Sequence, residues 1–157
     1  MNIKLQFATL LACMALGAGG WAAPGKPQPM GKDAYEAEKA RIVAQSKRDR
    51  KACDALHGRR EDICEAEARG RADALLAELE ARYQPSPDAW LKAKNVTAEA
   101  NYRVAKLKCG ALEGRAERRC VREAKAAREA AERQAKVEKV QETGGPFARR
   151  AAKGDDS

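Results

Sequence analysis

The chain has 157 residues, with 31 Lys and Arg against 23 Asp and Glu, a formal net charge of +8, and only 4% aromatic residues. That length predicts one domain, and the aromatic poverty argues against a nucleic-acid surface built on stacked bases. From residue 23 onward the sequence holds only 16 Ile, Val, Leu and Phe, which excludes a large core and by itself is the composition of a disordered chain. Two features argue for a fold: the density of Ala, Glu, Lys and Arg, which are strong helix formers, and cysteines able to staple what a core cannot hold.

Residues 1–22 read as a cleavable secretory signal. Lys4 supplies the positive start, Leu5 to Leu16 carries no charge, and Gly20 and Ala22 stand at −3 and −1 for cleavage after Ala22. The apolar run is too short for a stable membrane span. A competing route is acylation of Cys13, because Leu10, Leu11, Ala12 and Cys13 resemble a lipobox. Residues 23–31, rich in Pro, Gly and Lys, predict a flexible leader.

The rest predicts an all-α protein of two tandem helical hairpins, over 32–84 and 85–142, followed by a disordered tail at 143–157. The first helix should open at Asp33, which forms a capping box with Glu36. Its inward stripe is Tyr35, Ile42, Ser46, Cys53 and Leu56, and Gly58 should end it as a left-handed C′ residue. The second helix presents Cys64, Ala68, Ala72, Leu75, Leu79 and Tyr83 on one face. Ser86 and Pro87 suit N-cap and N1 of a third helix, whose stripe runs Leu91, Ala98, Tyr102, Ala105, Cys109 and Leu112 at coiled-coil-like spacings. Gly114 should end it as Gly58 ends the first. The fourth helix faces inward with Cys120, Ala124, Ala127, Ala131 and Ala135, and stops before Gly144, Gly145 and Pro146. Gly70 and Gly110 each cost their helix about 1 kcal/mol relative to Ala; Gly70 marks a close approach or a slight bend.

The two hairpins are copies. Aligning Cys53–Ala68 with Cys109–Ala124 matches nine of sixteen positions at a constant offset of 56, including both cysteines and the glycine. Each Cys-x10-Cys pair brackets its glycine almost symmetrically, so on antiparallel helices the two cysteines lie at one height, about 8 Å from the turn. Small neighbours (Ala52, Ala55, Ala66 and Ala68) permit the Cα separation of about 5.5–6 Å that a disulfide needs. Of the three connectivities, the local one, Cys53–Cys64 and Cys109–Cys120, is expected. Ten intervening residues and no thioredoxin-like strand pattern argue against redox catalysis, and a single histidine, His57, argues against a metal site. No cofactor is expected.

Other motifs carry little. No P-loop, G-x-G-x-x-G, H-E-x-x-H or G-x-S-x-G occurs, and the paired carboxylates read as solvated helix ion pairs. Asn95 and Thr97 form a sequon by chance within a helix. Arg118, Arg119 and Arg122 lie in a basic fourth helix, but nucleic acid is not expected as a partner of an exported chain. The pattern C-x-A-L-x-G-x5-C-x2-E-A, occurring twice across a linker with Tyr83, Pro85 and Ser86, resembles a group of small exported β-proteobacterial proteins, some labelled TolA-like cell-envelope proteins. Relatives often place Asn where this chain has Arg59 and Arg115, and the resemblance implies no activity. The expectation is a periplasmic, non-enzymatic helical protein that meets an envelope component or protein partner through its surface, with weak attraction to anionic surfaces. The alternative is a periplasmic chaperone or stress protein that cradles unfolded clients.

Overall fold

The computed structural model describes residues 30–144. The expected signal at residues 1–22, the alternative acylation at Cys13 and most of the expected leader and tail lie outside the described residues. Within them the chain forms four α-helices: α1 (Lys32–Cys53), α2 (Arg59–Tyr83), α3 (Pro87–Cys109) and α4 (Gly114–Glu142). No strand occurs among the described residues.

The helices form an open layer one helix thick. α1 packs on α2, α2 on α3 and α3 on α4, and no other pair is in contact. Contacts across each pair fix an antiparallel register. Tyr35 meets Tyr83 and Asp49 meets Arg71 between α1 and α2. Lys108 meets Glu67 at 2.7 Å and Arg103 meets Asp73 at 3.1 Å between α2 and α3. Arg128 meets Glu99 at 2.8 Å, and Lys139 meets Asp88, between α3 and α4. These pairs are partly exposed, so each contributes only about 0–1 kcal/mol. Their value lies in register: slipping one helix by a turn would set like charges opposite one another.

The layer is thin because the side chains between helices are small. The fully buried positions include Ala68, Ala81, Ala93 and both Cys53 and Cys109, and Leu79 is the largest side chain removed from water. Gly70 explains how α2 and α3, the most extensively paired helices, approach so closely. A Cβ at Gly70 would stand 3.0 Å from Ala100 Cβ. Of the two sequence readings of Gly70, close approach is the one the fold uses.

Several expectations shift. Gly58 and Gly114 do not end helices; they open the next ones. α1 stops at Cys53 and α3 at Cys109, where Leu56 N–H and Leu112 N–H close tight turns onto the two cysteine carbonyls at 2.8 and 2.9 Å. The chain then enters α2 and α4 through Gly58 and Gly114, at φ 60° and 59°; at Gly58 ψ is −137°, outside the left-handed helical well and in practice open only to glycine. Gly110 caps α3 instead of interrupting it. The capping box at Asp33 is absent: Gly31 is the N-cap, no side chain bonds there, and Asp33 sits in the first turn, where its charge favours the helix dipole. The start of α3 agrees with expectation, with Ser86 Oγ accepting from Ala89 N–H at 3.0 Å.

Three inward stripes are also corrected. Leu75 is 43% exposed, as is Leu112, the first because α2 shares its surface between two neighbours and the second because it lies in the loop beyond α3. On α4, Ala127 and Ala131 face solvent and only Ala135 is buried. Arg128 occupies the inward position instead, its guanidinium 5.0 Å from the centroid of the Tyr102 ring. An Ala stripe offers too little area to orient a helix, so a cation–π contact with a salt bridge competes successfully for the interface.

Candidate functional site

The residues singled out by spacing meet at one end of the layer. Cys53 is the last residue of α1 and Cys64 lies in the second turn of α2; their Cα atoms are 5.7 Å apart and the sulfurs are bonded. Cys109 and Cys120 repeat this at 5.6 Å. The register between α2 and α3 puts both disulfides at the same level across the four helices. Arg59 joins the two loops at this end: its guanidinium lies 3.2 Å from where a Cβ on Gly110 would be.

Cys53 and Cys109 are shielded, at 0% and 1% exposure. Cys64 and Cys120 are half-buried, so one sulfur of each bridge is shielded from a thiolate in solution. The four sulfurs are engaged with one another, and among the described residues no three His, Cys, Asp or Glu side chains converge as a metal-ligand set. His57 stands exposed in the first loop.

Below the loops an open cleft of ≈ 950 Å³ runs between α2 and α3. Arg59, Arg69, Arg103 and Lys106 line it, opposed by Asp62 and Glu65. Arg69 pairs with Glu65 and Arg103 with Asp73, whereas Arg59 and Lys106 have no carboxylate within 4.0 Å among the described residues. The cleft has cations to hold an anion, but no nucleophile beside a base and no pair of carboxylates poised across a shared substrate.

The opposite end is held differently. The Tyr35 and Tyr83 rings stack with centroids 4.3 Å apart, and Tyr35 O–H donates to Glu80 at 2.8 Å. That hydrogen bond holds the Tyr35 phenol above its ordinary value, since ionisation would set a phenolate against a carboxylate. This aromatic clasp ties the start of α1 to the end of α2. The sequence reading had Tyr35 and Tyr83 on inward stripes but did not pair them, because pairing depends on register. Asn95, part of the sequon, lies in α3 with its side-chain oxygen covered, and Thr97 donates its hydroxyl to Ala93 O at 3.1 Å.

Comparison of the chain with protein-family models, with curated proteins and with solved structures finds no match. The disulfides place the protein with chains that fold outside a reducing cytosol, and no helix among the described residues is long and apolar enough to cross a membrane.

Proposed function

We propose that the protein is a non-catalytic helical module of the bacterial cell envelope, exported to the periplasm and acting through surface contacts. The observation that carries this reading is the pair of local disulfides stapling a layer only one helix thick. Such a layer encloses little interior and leaves both broad faces, and the outer sides of α1 and α4, free for a partner. The signal-like residues 1–22 and the resemblance to small exported envelope proteins support the same compartment. A client-binding chaperone stands second, because it calls for a continuous apolar face. The exposed large apolar side chains, Val43, Leu75, Leu112, Val137 and Val140, are instead divided among α1, α2, one loop and α4.

The test is crosslinking in intact cells, followed by isolation of the periplasmic fraction and capture of the tagged chain. The expected product begins near Ala23, has no free thiols and carries a reproducible envelope component. Recovery from the cytosol with reduced cysteines would overturn the reading. An acylated start at Cys13 would move the protein to a membrane and replace the soluble route with the lipoprotein route. Suppression of client aggregation at near-stoichiometric ratios, without a specific envelope component, would favour the chaperone.

A further inference from the structure

The fold sorts charge in a way that the chain order hides. The half of the layer nearest the disulfide loops consists of residues 43–71 and 98–128. It contains 17 Lys and Arg against 10 Asp and Glu, a net +7. The other half, residues 32–42, 72–97 and 129–144, contains 9 against 11, a net −2. The alternating directions of the helices bring basic stretches of α1, α3 and α4 to one end, beside a stretch of α2 whose charges balance, so the described residues carry a charge dipole along the helices.

The basic end is exposed and largely uncompensated. Arg115, Arg118 and Arg122 recur at helical spacing on α4, are exposed, and have no carboxylate within 4.0 Å among the described residues. Arg59 and Lys106 in the adjoining cleft are in the same position. Asp54, Glu61, Asp62, Glu113 and Glu117 dilute the patch without reversing its sign. At its tip Leu112 is 43% exposed, and Leu56, its counterpart in the repeat, is half-buried in the other loop. Apolar side chains standing out among cations suit the boundary between headgroups and acyl chains, where the leucine enters and the cations meet lipid phosphates. A nucleic-acid strand would leave those leucines without a role and would find no aromatic platform among the loops.

We infer that the disulfide-loop end is a docking surface for an anionic phospholipid bilayer, with the helices standing away from the membrane and the acidic end outward. This rests on the envelope reading and names the partner of that module as lipid. The two staples then have a further consequence: they keep both loops, and the cations beside them, at one height for simultaneous contact.

The test is co-sedimentation of the exported, processed protein with phosphatidylcholine vesicles prepared with and without phosphatidylglycerol. Binding is expected only to the anionic vesicles and should fall as salt rises. Each cation near such a surface contributes about fivefold, so Arg115→Gln, Arg118→Gln and Arg122→Gln together should weaken partitioning on the order of 100-fold. The variant Lys92→Glu, Arg133→Glu, Lys136→Glu alters three exposed cations of the other half and should bind as the parent does. Circular dichroism checks that both variants keep their helices, and Leu112→Ala, which leaves the charge unchanged, should weaken binding more modestly. Equal losses in the two triple variants, or capture of single-stranded DNA without vesicle binding, would overturn the inference. Absence of vesicle binding together with specific capture of a periplasmic protein would overturn the lipid assignment alone and leave the envelope reading standing.

Discussion

Opening the Cys109–Cys120 disulfide should release α4 as a unit. The cysteines are 11 residues apart, and closing a loop of that size is worth about 3 kcal/mol on the loop-closure argument. Against that loss α4 sets mainly partly exposed contacts, Arg128 over Tyr102 and the ion pairs of Arg128 with Glu99 and Lys139 with Asp88. It touches only α3, and its one buried side chain is Ala135. α1 is also an outer helix with an equivalent bridge, but it buries Ile42 to 3% exposure and stacks Tyr35 on Tyr83. An isoleucine side chain alone contributes roughly 1.5–3 kcal/mol when buried. Replacing Cys109 and Cys120 with Ala should therefore lower hydrogen-exchange protection along α4 by about 100-fold. α2 and α3 should keep most of theirs. The matching change at Cys53 and Cys64 should cost α1 about 2–4 kcal/mol of its attachment, yet leave measurable protection around Ile42. Exchange measured by mass spectrometry on peptides from each helix separates the outcomes. A drop of less than tenfold in α4, or equal and small losses in α1 and α4, would refute the argument that the staples hold the outer helices.

Gly70→Leu should separate α2 from α3, because the obstructing atom is Ala100 Cβ, which cannot swing aside. A loss of at least about 2 kcal/mol by thermal or urea unfolding is expected, against a helix-propensity gain of about 1 kcal/mol; an increase in stability would contradict the close approach. The aromatic clasp predicts a pH limit. Tyr35 has a folded-state value raised above its ordinary 10.0, mainly by its hydrogen bond to Glu80. Its contribution is therefore complete below that ordinary value and is lost as pH rises through the raised one. Tyr35→Phe should abolish this alkaline loss in α1, and an ultraviolet titration that found every tyrosine ionising normally would contradict it.

Much of the fold was legible because it rests on local chemistry. The helices, the start of α3 at Ser86 and Pro87, and the end of α4 at Glu142 follow from propensity and capping, which act within a few residues. The local disulfides followed from the repeat and from matched heights about a turn. The turn itself was misplaced. Gly58 and Gly114 were recognised as necessary but assigned to the wrong helices, since a glycine at positive φ serves a helix exit or a helix entry equally well. Only the turns closed by Leu56 and Leu112 distinguish the two.

The inward faces were the least legible part. With so many alanines, periodicity defines several faces of nearly equal hydrophobicity, and small differences in tertiary contact select among them. Thus Ala127 and Ala131 turn outward while Arg128 turns in over Tyr102, and Leu75 stays in water.

By itself the sequence determined the helical class, the duplication and the pairing of cysteines, because these depend on residue type and on spacing along one chain. The tertiary structure alone decided that the helices lie in an open layer, that Gly70 meets Ala100, and that Tyr35 finds Tyr83 and Glu80. It also decided that cations spread over four segments gather at the disulfide end. Each of these joins residues far apart in the chain, and their distance is set by the direction and register of whole helices.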